Sequence, residues 1–273
     1  VSRNIIIVVA VVAIIALAAL ALTLFRTPEE ASAPITAATL TIETSQPVAA
    51  PTQPPTATSE ATAAAEPSAA SATEAPVVAA TEPAVEPTSA PAAAAAPVIF
   101  ELVQGESQAR FIINEVLRGS PVTVVGSTDQ VAAQIAIDAA NPGATQLGQV
   151  SVNARTLATD QDMRNRAIKN FILNTDNYEF VTFQPTELVG LPEAVTVGES
   201  FTFQIVGDLT IRDVTKPVTF DVTVTPVSET RIEGLATTTF PYRDFGLSIP
   251  DSPSVDTVAD DVTLELEFVA EAQ

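Results

Sequence analysis

Val218-Thr219-Phe220-Asp221-Val222-Thr223-Val224 sets apolar against polar side chains at every step. Successive side chains of an extended chain point to opposite faces, so this run reads as a β-strand with one buried and one solvated face. Phe201, Phe203 and Ile205 alternate in the same way with Thr202 and Gln204, and Val262, Leu264, Leu266 and Phe268 with Thr263, Glu265 and Glu267. One-sided burial of this kind marks antiparallel sheet. Weaker versions occur at Phe111 and Ile113, from Val122 to Val125, Val131 to Ile137, Val150 to Leu157, Phe180 to Phe183 and Ile232 to Phe240. Turn signals at Asn141-Pro142-Gly143, Gly198 and Lys216-Pro217 separate them, giving eight to ten strands. A meander of this size closes as a two-sheet sandwich or as a barrel, and short turns with one helix suit a barrel of about eight strands.

The helix is expected from Thr159 to Phe171. Thr159 and Asp162 have capping-box spacing, and Met163, Ala167 and Phe171 recur at i, i+4 and i+8, which predicts an apolar stripe plugging one end of the β structure.

Outward from this region the composition changes. Residues 27–97 hold 12 of the 21 prolines, 18 Ser or Thr and eight Glu, with no Gly, aromatic, Asp, Lys or Arg. Frequent proline interrupts both helix and sheet hydrogen bonding, and no large side chains are available for a core, so a disordered linker is expected. Before it, Ile5 to Phe25 carry no charge and a single hydroxyl, Thr23. At ~1.5 Å per helical residue such a run reaches the roughly 30 Å of a bilayer core. Residues 1–26 are therefore expected to be a transmembrane anchor, a cleavable signal peptide being the alternative. With Arg3 before the run and Glu29 and Glu30 after it, the expected location is the cell membrane, single-pass, with the C-terminal domain outside the cytoplasm. The three expected regions are thus 1–26, 27–97 and 98–273.

Charge and residue usage narrow the function. The chain carries 33 acidic and 12 basic side chains, a net charge of -21, and has no Cys, His or Trp. Disulfides, thiolate metal sites, imidazole bases and Ser-His-Asp triads need residue types that are missing. So large a deficit of Lys and Arg argues against nucleic acid as a partner. Asp244-Phe245-Gly246 lacks the other elements of a kinase site and reads as a turn. Asp256, Asp260 and Asp261 lack the spacing and Gly of a calcium loop and read as a solvated acidic stretch. No enzyme, metal or cofactor is expected.

The order of motifs in residues 98–273 resembles the YceI-like family of lipid or polyisoprenoid-binding domains. The resemblance rests on Glu106-Ser107-Gln108-Ala109-Arg110-Phe111, on Val124-Val125-Gly126 and on Asp162-Met163-Arg164-Asn165-Arg166. It continues through Tyr178-Glu179-Phe180-Val181-Thr182-Phe183, the run from Gly207 to Val218, and Arg243-Asp244-Phe245-Gly246-Leu247. Glu106 stands where many relatives have His. The resemblance implies a lipocalin-like antiparallel β-barrel whose apolar tunnel holds an isoprenoid lipid of quinone or polyprenyl type. On the inward strand faces, the expected contacts are Phe111, Ile113, Phe183, Phe201, Phe203, Ile205, Phe220, Val222, Leu264 and Leu266. Burying about 400 Å² of isoprenoid surface gives on the order of 10 kcal/mol before ordering costs, so no hydrogen bond is required. The alternative is a non-enzymatic display or protein-interaction domain whose side chains meet in the middle and fill the barrel.

Overall fold

The computed structural model describes residues 26–40 and 96–273, all of which belong to one compact unit. Twelve strands form a single curled antiparallel sheet: β1 (Val98–Leu102), β2 (Gln108–Leu117), β3 (Ser120–Thr128), β4 (Val131–Ala132), β5 (Gln134–Ile137), β6 (Gln146–Leu147), β7 (Val150–Asn153), β8 (Phe180–Val189), β9 (Phe201–Ile211), β10 (Val214–Ser228), β11 (Arg231–Pro241) and β12 (Val255–Ala272). Several are pieces of one longer strand. β4 and β5 are interrupted only at Ala133, and each pairs with a different neighbour: β4 with β7, β5 with β1 and β6. β12 is long enough to pair with β2 through its first part and with β1 at its end. With β7 paired to β8 and each later strand to the next, the pairings curl the sheet around into a lipocalin-like barrel, in which β3, paired with β2 alone, and the short β6, paired with β5 alone, form edges.

Local chemistry explains the joints. Arg118 and Gly119 both have positive φ, the requirement of a tight two-residue hairpin between the paired Leu117 and Ser120. Where β12 changes partner from β2 to β1, buried Ser107 fills the gap: its hydroxyl donates to Val269 O and accepts from Val269 N, each at 3.1 Å. Glu106 beside it pairs with Arg231 at 2.6 Å, and Arg231 also meets Glu233 and Glu271.

One connection crosses an end of the barrel. Between β7 and β8 lie α1 (Asp162–Ala167) and a π-helical turn, Ile168–Ile172. The helix expected from Thr159 to Phe171 thus starts three residues later and widens into a π turn. The capping box does not form: Gln161 is the N-cap, and the Thr159 hydroxyl and amide instead bond Asn165 Oδ1 at 2.8 and 2.7 Å. Met163 is 73% exposed, and the face turned to the barrel carries Arg164, Ile168 and Ile172, one position on from the expected stripe. Arg164 reaches Glu115 of β2, while Ile172 O accepts from Arg212 in the β9–β10 turn, so the segment spans the barrel end between strands on opposite sides of the ring.

The expected single-pass membrane location is corrected: no helix among the described residues is long and apolar enough to cross a membrane. Ile5 to Phe25, on which it rested, lie outside the described residues, as do positions 41–95 of the linker. Residues 26–40, the last position of the expected anchor and the first part of the segment read as linker, lie along the domain as an extended strap. Arg26 pairs with Asp176 at 2.9 Å and Glu29 with Arg155 at 3.0 Å. Ser32 donates its amide and its hydroxyl to Glu179. Ile35 is only 4% exposed and its carbonyl accepts from Gln104 Nε2. Leu40 N donates to Gln134 Oε1 at 2.9 Å, and the Leu40 side chain sits so close to Gly148 that a Cβ there would approach it to 2.8 Å.

Candidate functional site

The inward strand faces do not meet in the middle. They surround a cavity of about 730 Å³, within the roughly 300–1,000 Å³ of sites that enclose small ligands. Phe111 and Ile113 reach it from β2, and Phe183 from β8. Phe201, Phe203 and Ile205 line it from β9, Phe220 and Val222 from β10, and Leu264 and Leu266 from β12. All ten residues picked out from the alternation are therefore brought together on one surface.

The reason that so many aromatic side chains leave a space lies in three strand glycines. Gly126, Gly207 and Gly234 face inward, and the ring of Phe111, Phe183 or Phe268 lies over each. Phe111 is the register partner of Gly126, and Phe268 of Gly234; Phe183 reaches Gly207 diagonally. A Cβ on Gly126 would fall 2.1 Å from Phe111 Cε1, and one on Gly207 would fall 2.6 Å from Phe183 Cζ. Without side chains at these positions the rings lie along the wall rather than across the lumen. Phe183 and Phe220 add an edge-to-face contact with centroids 4.9 Å apart, which fixes both rings against the sheet.

The two ends differ. At the end holding the β8–β9 and β10–β11 hairpins, Val98, Val195 and Val197 border the cavity and are 45, 41 and 52% exposed. At the other end the α1 and π-turn segment closes over it with Ile168, Ile172 and Leu173, together with buried Tyr242. Here the wall also carries charge: Arg164 Nη2 lies 3.0 Å from Glu115 Oε1, with Glu115 9% and Arg164 18% exposed in their side chains.

Some lining residues were not named from the sequence. Phe100 on β1 follows directly after the Pro- and Ala-rich segment, and its strand is too short to show alternation clearly. Phe240 and Phe268 stand in recognised alternating runs. Ile168 and Ile172 were missed because their i, i+4 stripe begins at Arg164, which does not read as an apolar contact. The inward glycines were legible as glycines interrupting strands, a sign of close approach by another group.

Outside the cavity, Asp244-Phe245-Gly246 is a turn, with Phe245 buried against Phe240 at 4.8 Å between centroids and Gly246 at φ 64°. Asp260 pairs with Arg243 at 2.9 Å, and Asp256 accepts from Gly119 N at 2.6 Å. Beneath the strap, burial would raise the Glu179 carboxyl, but hydrogen bonds from Ser32 and Asn153 and the charge of Arg155 outweigh it and hold the group below the ordinary carboxylate range. Arg155 bonds Glu179, Glu29 and the carbonyls of Glu30, Thr175 and Asp176.

Known proteins share this architecture. A polyisoprenoid binding domain from Saccharophagus degradans implicated in plant cell wall breakdown superposes with a TM-score of 0.53 at 17% identity, over 64% of this chain and 99% of that one. BcnA of Burkholderia cenocepacia superposes with a TM-score of 0.50 at 18% identity, over 62% of this chain and 98% of that one. None of the curated proteins matches the chain in sequence. The family model of the YceI-like domain matches residues 100–270, from the first cavity phenylalanine to within two residues of the end of β12. With its motifs, its barrel and its match over most of its length in agreement, the chain belongs to the YceI-like domain family.

Proposed function

We propose that the chain binds an isoprenoid lipid, of quinone or polyprenyl type, within the barrel and serves as a carrier or sequestering module rather than as an enzyme. The observation that carries this reading is the apolar cavity of about 730 Å³, walled by the ten residues named from the sequence and kept open by the Phe-over-Gly pairs. A slender, branched hydrocarbon is the ligand such a wall suits, because its free energy of transfer grows with apolar area and asks for no hydrogen bonds along its length. The name of the Saccharophagus degradans relative points the same way. The cavity also speaks against the display-domain alternative, which required a filled core.

Organic extraction of the purified full-length chain, followed by mass spectrometry, tests the proposal. Recovery of a stoichiometric isoprenoid is the expected result. A protein that yields no lipid, and takes up none when mixed with a prenylated quinone, would overturn it.

A further inference from the structure

The charges that border the cavity are unevenly balanced. Arg164 is bonded by two carboxylates, Glu115 at 3.0 Å and Asp160 at 2.5 Å. At the hairpin end the lining charges are Asp138 and Glu229. Arg164 is thus outnumbered by its two acids at the plugged end, and the hairpin end carries acids, so a bound anion would meet net negative charge at either end of the cavity. Arg164 nevertheless retains hydrogen-bonding capacity: its two ion pairs engage two of the five N–H groups of a guanidinium.

Resting on the reading that the cavity takes an isoprenoid, we propose that it selects lipids with an uncharged, oxygen-bearing head, a quinone or a prenol, over polyprenyl phosphates. The head lies at the plugged end, where Arg164 donates to its oxygen. Glu115 and Asp160 set the specificity: they hold the guanidinium in place and cancel the positive charge that a phosphate would need. The apolar tail then occupies the Phe-lined length and points toward the valine-bordered mouth.

The test is equilibrium binding to the full-length chain of three lipids with the same tail: a prenylated quinone, a polyprenol and a polyprenyl monophosphate. The quinone and the prenol are expected to bind at least about tenfold more tightly than the phosphate, the effect of one excess negative charge in a partly desolvated site. Glu115→Gln and Asp160→Asn should each narrow that ratio several-fold, and Asp160, 73% exposed in its side chain, can be changed without disturbing packing. Equal or tighter binding of the phosphate, or a ratio unmoved in both variants, would overturn the head-group selection while leaving the isoprenoid reading standing. Failure of all three lipids to bind would remove that reading and this inference together.

Discussion

Gly126→Ala adds one methyl group to the barrel wall and should cost the cavity a disproportionate share of its ligand. The new Cβ would fall 2.1 and 2.4 Å from Phe111 Cε1 and Cζ, and these ring atoms, with Cδ1 at 3.0 Å, are its nearest contacts. Carbon atoms pack at about 3.5–4 Å, so the ring has to retreat by more than ~1 Å, and the lumen is the open direction. Stability should change little: overpacking costs about 1–3 kcal/mol, and replacing glycine inside a strand returns roughly 0.5–1 kcal/mol. Binding should change more. A phenylalanine buries about 150–250 Å², and if half of that displaces ligand contact, the loss is about 2–3 kcal/mol, or roughly 30- to 150-fold in Kd. Titration with a prenylated quinone, read by native mass spectrometry beside a thermal melt, measures both. The double variant Gly126→Ala/Phe111→Leu removes the ring and should recover most of the affinity. Wild-type binding by Gly126→Ala, or an equal loss in single and double variants, would refute the Phe-over-Gly explanation of the cavity.

Four further outcomes are expected. Phe220→Asp should abolish lipid retention, since an unpaired charge in the apolar lumen costs several kcal/mol, whereas Thr219→Asp on the outer face should retain lipid; equal loss from both in extraction assays would indicate general unfolding. Arg155→Ala should lower stability in denaturant titrations by about 1–3 kcal/mol, because it removes a charged donor from half-buried Glu179 and from the carbonyls beneath the strap; no measurable loss would contradict that role. Strap docking should weaken in acid. The Glu179 carboxyl titrates lower when docked than when free, so its contribution is complete above the ordinary carboxylate range and is lost as pH falls through the lowered value. The hydrogen-exchange protection factors of residues 26–40 should therefore fall in acid, and Glu179→Gln should flatten that dependence; an unchanged profile would count against it. Ile35→Asp should expose the same residues to proteolysis at neutral pH without changing cleavage within β8 to β12.

The strands that were legible in the sequence are those with one wet face. β9, β10 and β12 alternate cleanly because solvent and lumen impose opposite demands on neighbouring residues, and the ten residues named from that pattern all reach the cavity. β1, β4 and β6 are too short to show a period, and they became interpretable only through their partners in the ring. The helical face was displaced by one position because it starts at Arg164, a charged residue that an apolar count passes over, while Met163 at the start of the expected stripe is exposed. The strap was hidden for a different reason: its composition is that of a segment unable to build a core, yet a surface of Arg155, Asp176 and Glu179 supplies partners that the segment lacks. Glu115 and Arg164 were passed over because neither resembles an apolar contact, although Arg164 falls within a family motif.

Uptake of a prenylated quinone by the delipidated full-length chain, followed by native mass spectrometry, tests most directly whether the barrel is a lipid site. We expect one lipid per chain at saturation, with affinity rising as the tail lengthens until the cavity is filled. A chain that remains at its protein mass at every tail length, while its thermal melt shows it folded, would contradict a hollow, lipid-holding barrel.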